Sequence, residues 1–170
     1  LFNKPKGVVS ATRDEKNTTV LDVINHPHKE ELHIAGRLDF NTTGLMLLSN
    51  DGFWTRSLSL PELHINKQYL VTTEDPITEQ YAVQFLKGIR FEFEGITTKP
   101  ATLKIRHTHQ AELTLTEGRY HQVKRMFGFF DNKVTQLHRF AIGNMQLPSH
   151  LAQGEYQILS RQQAYNMLVR

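Results

Sequence analysis

Cysteine is absent from the 170 residues, which excludes disulfides, thiolate nucleophiles and every zinc site built on sulfur. Whatever chemistry the chain performs must use carboxylates, hydroxyls, histidines or bases, and the missing thiols fit a reducing compartment. No apolar stretch approaches the roughly 20 residues that cross a bilayer. The opening Leu1-Phe2-Asn3-Lys4-Pro5-Lys6-Gly7 lacks the charged, apolar and small-residue zones of a signal peptide. A cytoplasmic protein without membrane association is expected. Repeats, low-complexity tracts and Gly/Ser linkers are also missing, so the sequence reads as one compact unit. Excess charge is small, at +3 with a pI near 9.2, which suggests a polyanionic partner without establishing one. With 39% hydrophobic and 22% charged residues, the chain has the composition of an ordinary folded protein.

Strand signals predominate. Short extended pieces are expected at Leu1–Asn3 and Val8–Ala11, separated by a Pro5-Lys6-Gly7 turn. The apolar run Gly44–Ser49 reads as a buried strand closed by a tight Asn50-Asp51-Gly52 turn, because Asn and Gly tolerate positive φ. Alternating patterns predict strands at Gln68–Thr72, Arg90–Phe93, Thr102–Arg106, Glu112–Thr116, Val134–His138 and Glu155–Leu159. Helices are fewer: a short one at Thr19–Ile24, and one at Thr78–Lys87 stopped by Gly88, with Ile77, Tyr81, Ala82, Phe85 and Leu86 on one face. Another spans Tyr120–Phe130, and a last one starts at Ser160, capped through Gln163 and burying Ala164, Tyr165 and Leu168. The order is not the strict alternation of a doubly wound fold, so the expected class is α+β with a largely antiparallel sheet.

Gly36-Arg37-Leu38-Asp39-Phe40-Asn41-Thr42-Thr43-Gly44 packs an Arg, an Asp and two Thr between glycines. Small hydroxyls can bond nearby backbone and fix a loop, which would hold one carboxylate in one orientation. On spacing alone, the better reading is an Asx-type turn in which the Asp merely caps local N–H groups, since lone Asp residues in loops are mostly structural.

Gly-Arg-Leu-Asp, then Thr-Thr-Gly-Leu, an apolar run and Asn-Asp-Gly, spanning Gly36–Gly52, resembles the signature of the RsuA/RluA group of pseudouridine synthases. Similar segments follow the group's order: Asn3–Gly7, Lys67–Val71, Glu117–Phe127, and Leu137-His138-Arg139 with Ile142-Gly143. Thr98-Lys99-Pro100-Ala101 and the Glu117–Phe127 block look most like RsuA-like members, which act on small-subunit ribosomal RNA. The resemblance implies the pseudouridine synthase catalytic fold over residues 1–170, a mixed sheet flanked by helices with an active-site cleft across it. The most similar members carry a small helical RNA-binding domain before the Asn-Lys-Pro segment, and this chain starts at that segment.

The implied reaction breaks the bond from C1′ to N1 of a uridine, turns the uracil over and rebuilds the link through C5, with no cofactor and no metal. The group's invariant carboxylate maps onto Asp39. Three routes are open to it: attack at C1′, addition at C6, or removal of the C2′ proton. A carboxylate buried beside an apolar base protonates unless a cation stands near it, and the resemblance places Lys124 in that role. Many relatives have Arg there, so Lys124 would make a point contact and not a bidentate one. On a helix, Tyr120, Val123, Met126, Phe127 and Phe130 would share an apolar face, with Lys124 at its border and Arg125 opposite, in solvent or on phosphate. Tyr69 falls at the group's aromatic position, where its ring would stack on the uracil and its hydroxyl would help move the C5 proton; on pattern alone it is a core Tyr of an alternating strand.

An extruded uridine must be compensated by stacking and phosphate contacts. Lys4, Lys6, Arg119, His121, Lys124, Arg125 and Arg139 are the candidate basic rim, and Arg37 either holds RNA or braces its loop. The expected partner is ribosomal RNA of the small subunit, naked or in an assembly intermediate, acted on by a monomer.

Rival readings are weaker. His26-Pro27-His28 and His107-Thr108-His109 have the alternation of metal ligands, but neither has a third ligand nearby in sequence. A glycosidase needs two spaced carboxylates where one is credible. A large-subunit synthase of the same group and a non-catalytic RNA-binding module remain alternatives. The second conflicts with the joint presence of Asp39, Tyr69 and Lys124.

Overall fold

The computed structural model describes residues 1–168, the Leu168 side chain excepted. In chain order the elements are β1 (Phe2–Lys4), α1 (Val20–Val23), β2 (His33–Ala35), β3 (Thr43–Ser49), α2 (Gly52–Leu58), β4 (Lys67–Thr73), α3 (Glu79–Lys87), β5 (Arg90–Phe91), β6 (Ile96–Thr97), β7 (Thr102–His107), β8 (Gln110–Leu115), α4 (Gln122–Gly128), β9 (Val134–Ile142), β10 (Met145–Gln146) and α5 (Arg161–Leu168). The pairings of β1 with β3, β2 with β3, β10 with β9, β4 with β8, β5 with β6 and β7 with β8 are antiparallel and that of β3 with β9 is parallel, so the class is the expected α+β. The chain divides into two compact units, Leu1–Ile65 with His138–Arg170, and Asn66–Leu137. No linker composition marks the division, because one boundary falls inside β9.

In the first unit, β3 is the hub. Its apolar Leu45-Met46-Leu47 is almost fully buried, as a strand paired along its length must be. It pairs antiparallel with β1 (Asn3 opposite Leu45) and with β2 (Ile34 opposite Leu48), and parallel with β9, where Thr43 faces His138 and Gly44 faces Arg139. β9 turns back into β10. Leu45 and Leu47 pack with Ala35, Trp54, Leu58, Ile142 and Met145 as the core.

In the second unit, β8 lies between β4 and β7. The alternation of Tyr69, Val71 and Thr73 on β4 and of Ala111, Leu113 and Leu115 on β8 sends these side chains inward, the period-2 signal read from sequence. Beside them, Tyr81 and Phe85 of α3 meet Phe127 and Phe130 in one aromatic cluster, with Phe85 edge-on to Phe127 at 5.2 Å between centroids. Phe85 is fully buried. Phe85→Ala should therefore destabilise this unit by about 3–5 kcal/mol, seen as a lower urea midpoint at unchanged slope.

Several sequence expectations need correction. Asn50-Asp51-Gly52 is not a simple turn: Asp51 caps α2, its Oδ1 accepting from Phe53 N and Trp54 N, each at 3.1 Å. The same Asx chemistry serves both purposes, and α2 went unread. Arg90–Phe93 is a strand only to Phe91, since Phe93 sits fully exposed in the turn before β6. Glu155–Leu159 makes a single bridge, Tyr156 with Phe2, and no strand. α4 is shorter than Tyr120–Phe130, and Leu86 and Tyr165 are exposed. The box at Ser160 and Gln163 does form, while the Leu168 side chain lies outside the described residues.

Candidate active site

Asp39 sits half-buried between β2 and β3, and the backbone around it is held from several sides. Asp39 O accepts from Thr42 N at 3.0 Å, closing a turn. Just before it, the Ser10 hydroxyl donates to Leu38 O at 2.6 Å and accepts from Leu38 N at 3.0 Å. Just after it, Gly7 N donates to Phe40 O at 2.8 Å. The loop is thus shaped largely by residues 4–10, about thirty positions earlier, and less by the Thr hydroxyls than the sequence suggested. Thr43 Oγ1 does bond His138 Nδ1, at 2.8 Å, and burial lowers the pKa of His138. Ser10 carried no sequence signal, because a serine in a polar stretch is unremarkable until its partner is known.

Lys4 was expected on an RNA-facing rim. Instead it is fully buried, and its Nζ donates to Thr42 O at 2.8 Å, Pro5 O at 3.0 Å and Phe40 O at 3.4 Å. Burial lowers its pKa to about 8, with the charge of Asp39 acting in the opposite sense. An ammonium with three donors and no acceptor suits a nest of carbonyls. Lys4 is a brace for the loop.

The closing glycine of the loop is fixed by contact. Gly44 has φ +113°, and a Cβ there would lie 2.1 Å from Arg139 O. Only glycine allows β3 to approach β9 this closely. Arg139, also expected on the rim, is 2% exposed, and its Nε donates to Leu45 O at 2.9 Å. Arg37 and Lys6 are exposed, as expected of residues open to a partner.

In the second unit, Tyr69 is buried on β4, paired across to Leu113, and Lys124 is half-buried on α4. The segment entering α4 is framed by Glu117 and Gln122. Glu117 Oε1 accepts from Lys99 N at 2.8 Å and from Gln122 Nε2 at 3.0 Å, and Gln122 Oε1 accepts from Arg119 N at 3.0 Å. His121 has φ +48° and caps α4, so the helix begins too late to include Tyr120. Tyr120 is 77% exposed, stacked on His121 at 3.9 Å, and not on the apolar face that periodicity assigned it. Arg119 is exposed and paired with Glu117. Arg125 is not directed at solvent: its guanidinium lies 3.7 Å over the Phe91 ring, pairs with Glu94 and donates to Tyr120 O. Among the described residues no cluster of His, Asp or Glu has the makings of a metal site, and none of the helices is long and apolar enough to cross a membrane.

The family model described as RNA pseudouridylate synthase matches residues 1–128. The chain belongs to that family. It is 50% identical to the ribosomal small subunit pseudouridine synthase A of Pseudomonas aeruginosa over 163 residues, covering 96% of this chain and 71% of that protein. The protein of the same name from Escherichia coli is 45% identical over the same coverage. A crystal structure of a pseudouridylate synthase superposes with TM-score 0.92 at 42% identity, covering 98% of this chain and 71% of that one.

Proposed function

We propose that this chain isomerises a specific uridine of small-subunit ribosomal RNA to pseudouridine, with Asp39 as the reacting carboxylate. The observation that carries this reading is the Asp39 loop, where backbone carbonyls on both sides of one half-buried acid are pinned by Ser10, Gly7 and Lys4. Such preorganisation is what a single nucleophile or base requires to meet C1′, C6 or the C2′ proton of an everted nucleotide. Tyr69 supplies the ring and Lys124 the ammonium that the chemistry demands. The reaction is an isomerisation: the C1′–N1 bond breaks, the C1′–C5 bond forms, and the proton on C5 is lost while N1 gains one, so no cofactor enters the balance. Arg37, Lys6, Arg119 and His121 remain as RNA contacts, whereas Lys4 and Arg139 are withdrawn from that role by their burial and Arg125 by its seat over the Phe91 ring beside Glu94. The names of the similar proteins support the small subunit as the source of the RNA. We take the acting species to be a monomer in the cytoplasm, on naked RNA or an assembly intermediate.

Incubating the purified chain with small- and large-subunit RNA, each naked and partly assembled, and mapping carbon-linked uridines tests the reading. One new site in small-subunit RNA is the expected outcome. A site in large-subunit RNA alone would overturn the subunit assignment, and no site in any substrate would overturn the enzyme.

A further inference from the structure

Arg139 presents an imbalance that RNA binding does not explain. The residue is 2% exposed; Nε reaches Leu45 O at 2.9 Å, and Nη2 is sealed from solvent with no hydrogen-bond partner among the described residues. A methionine or leucine would fill similar volume without desolvating a charge, so packing is not what the guanidinium contributes. Its reach is informative. Nη1 lies 4.0 Å from where a Cβ on Gly36 would stand, and the backbone of the same residue abuts Gly44. Gly36 opens the Asp39 loop, while Gly44 and Leu45 close it. One side chain therefore reaches both ends of the loop, with a directional bond from Nε at one and Nη1 beside the other, while Lys4 holds its middle.

We propose that Arg139 is a positioning residue for Asp39, fixing the separation of the loop's two ends from inside the protein, and that it makes no contact with RNA. The proposal rests on Asp39 being the reacting group. A lysine at this position carries the charge but no fork, and its single nitrogen cannot stand beside Gly36 while bonding Leu45 O. Loosening the ends by a fraction of an ångström degrades attack geometry without altering the surface that RNA meets.

The test uses Arg139→Lys and Arg139→Gln in the full chain, with amide exchange over residues 36–44 read alongside kcat and KM for ribosomal RNA. The expected result is faster exchange confined to the loop, kcat lower by about 10²-fold, and KM within about twofold with an unchanged salt dependence. A rise in KM with kcat preserved and a flatter salt dependence would return Arg139 to RNA contact and overturn the proposal. Unchanged loop exchange in either folded variant would also overturn it, whether or not the parent is active. Gln keeps one donor for Leu45 O without a charge, so it provides the test if the Lys variant does not fold. An inactive parent whose loop still loosens on substitution would sink the enzyme reading while leaving the loop-end role standing.

Discussion

Asp39→Asn is expected to lower pseudouridine formation by about 10⁴-fold or more while leaving RNA affinity within about twofold and the fold intact. The carboxamide has the shape of the carboxylate, so the substitution tests chemistry and not volume. The bonds that shape the loop end on main-chain atoms of Leu38, Asp39, Phe40 and Thr42 and survive the change, so the loop should keep its shape. An amide is a poor nucleophile and a negligible base, and among the routes to C1′, C6 or the C2′ proton none proceeds without one of those properties. Single-turnover conversion of small-subunit RNA, measured with filter binding of the same RNA, separates the steps. Activity within tenfold of the parent would remove Asp39 from the reaction. Equal binding with no product from either protein would leave an RNA-binding module.

The sequence exposed the parts of this molecule governed by local period and missed those governed by distance. β3, β4, β7, β8 and α3 followed from burial patterns over six to nine residues, and these elements set the class. α2 was hidden because its capping Asp51 mimics a turn residue, and Tyr120 was misplaced because a left-handed His121 delays α4. At the site, the carboxylate stood out through its motif. The motif could not say that Lys4 and Arg139 point inward, since a basic residue is exposed unless something buried accepts its donors. Those acceptors are carbonyls 36 to 94 positions away, which composition and spacing do not encode. Two of the seven cations assigned to the RNA rim thus prove to be fully buried parts of the scaffold.

Lys4→Met offers the second large effect and separates two consequences of the same buried amine. The methionine keeps an unbranched stem but has no donor, so Thr42 O, Phe40 O and Pro5 O lose their shared partner and the loop loses its central grip. A fall in kcat of about 10²-fold follows from misplacing the acid, with KM little changed because Lys4 is not at the surface. Stability carries a separate signature. The folded protein sheds the Lys4 proton near pH 8, whereas an unfolded lysine holds it to about 10.4. Below pH 8 the buried charge is a constant penalty; from pH 8 upward the unfolded chain binds more protons than the folded one, and this residue's contribution to stability rises. Between pH 7 and pH 10 the gain amounts to about 2–3 kcal/mol. Lys4→Met abolishes it, so urea unfolding of parent and variant at the two pH values should show their stability difference growing by that amount in the parent's favour. A difference independent of pH would mean that Lys4 titrates as an ordinary surface lysine, and the brace drawn from its three carbonyl bonds would fall with it.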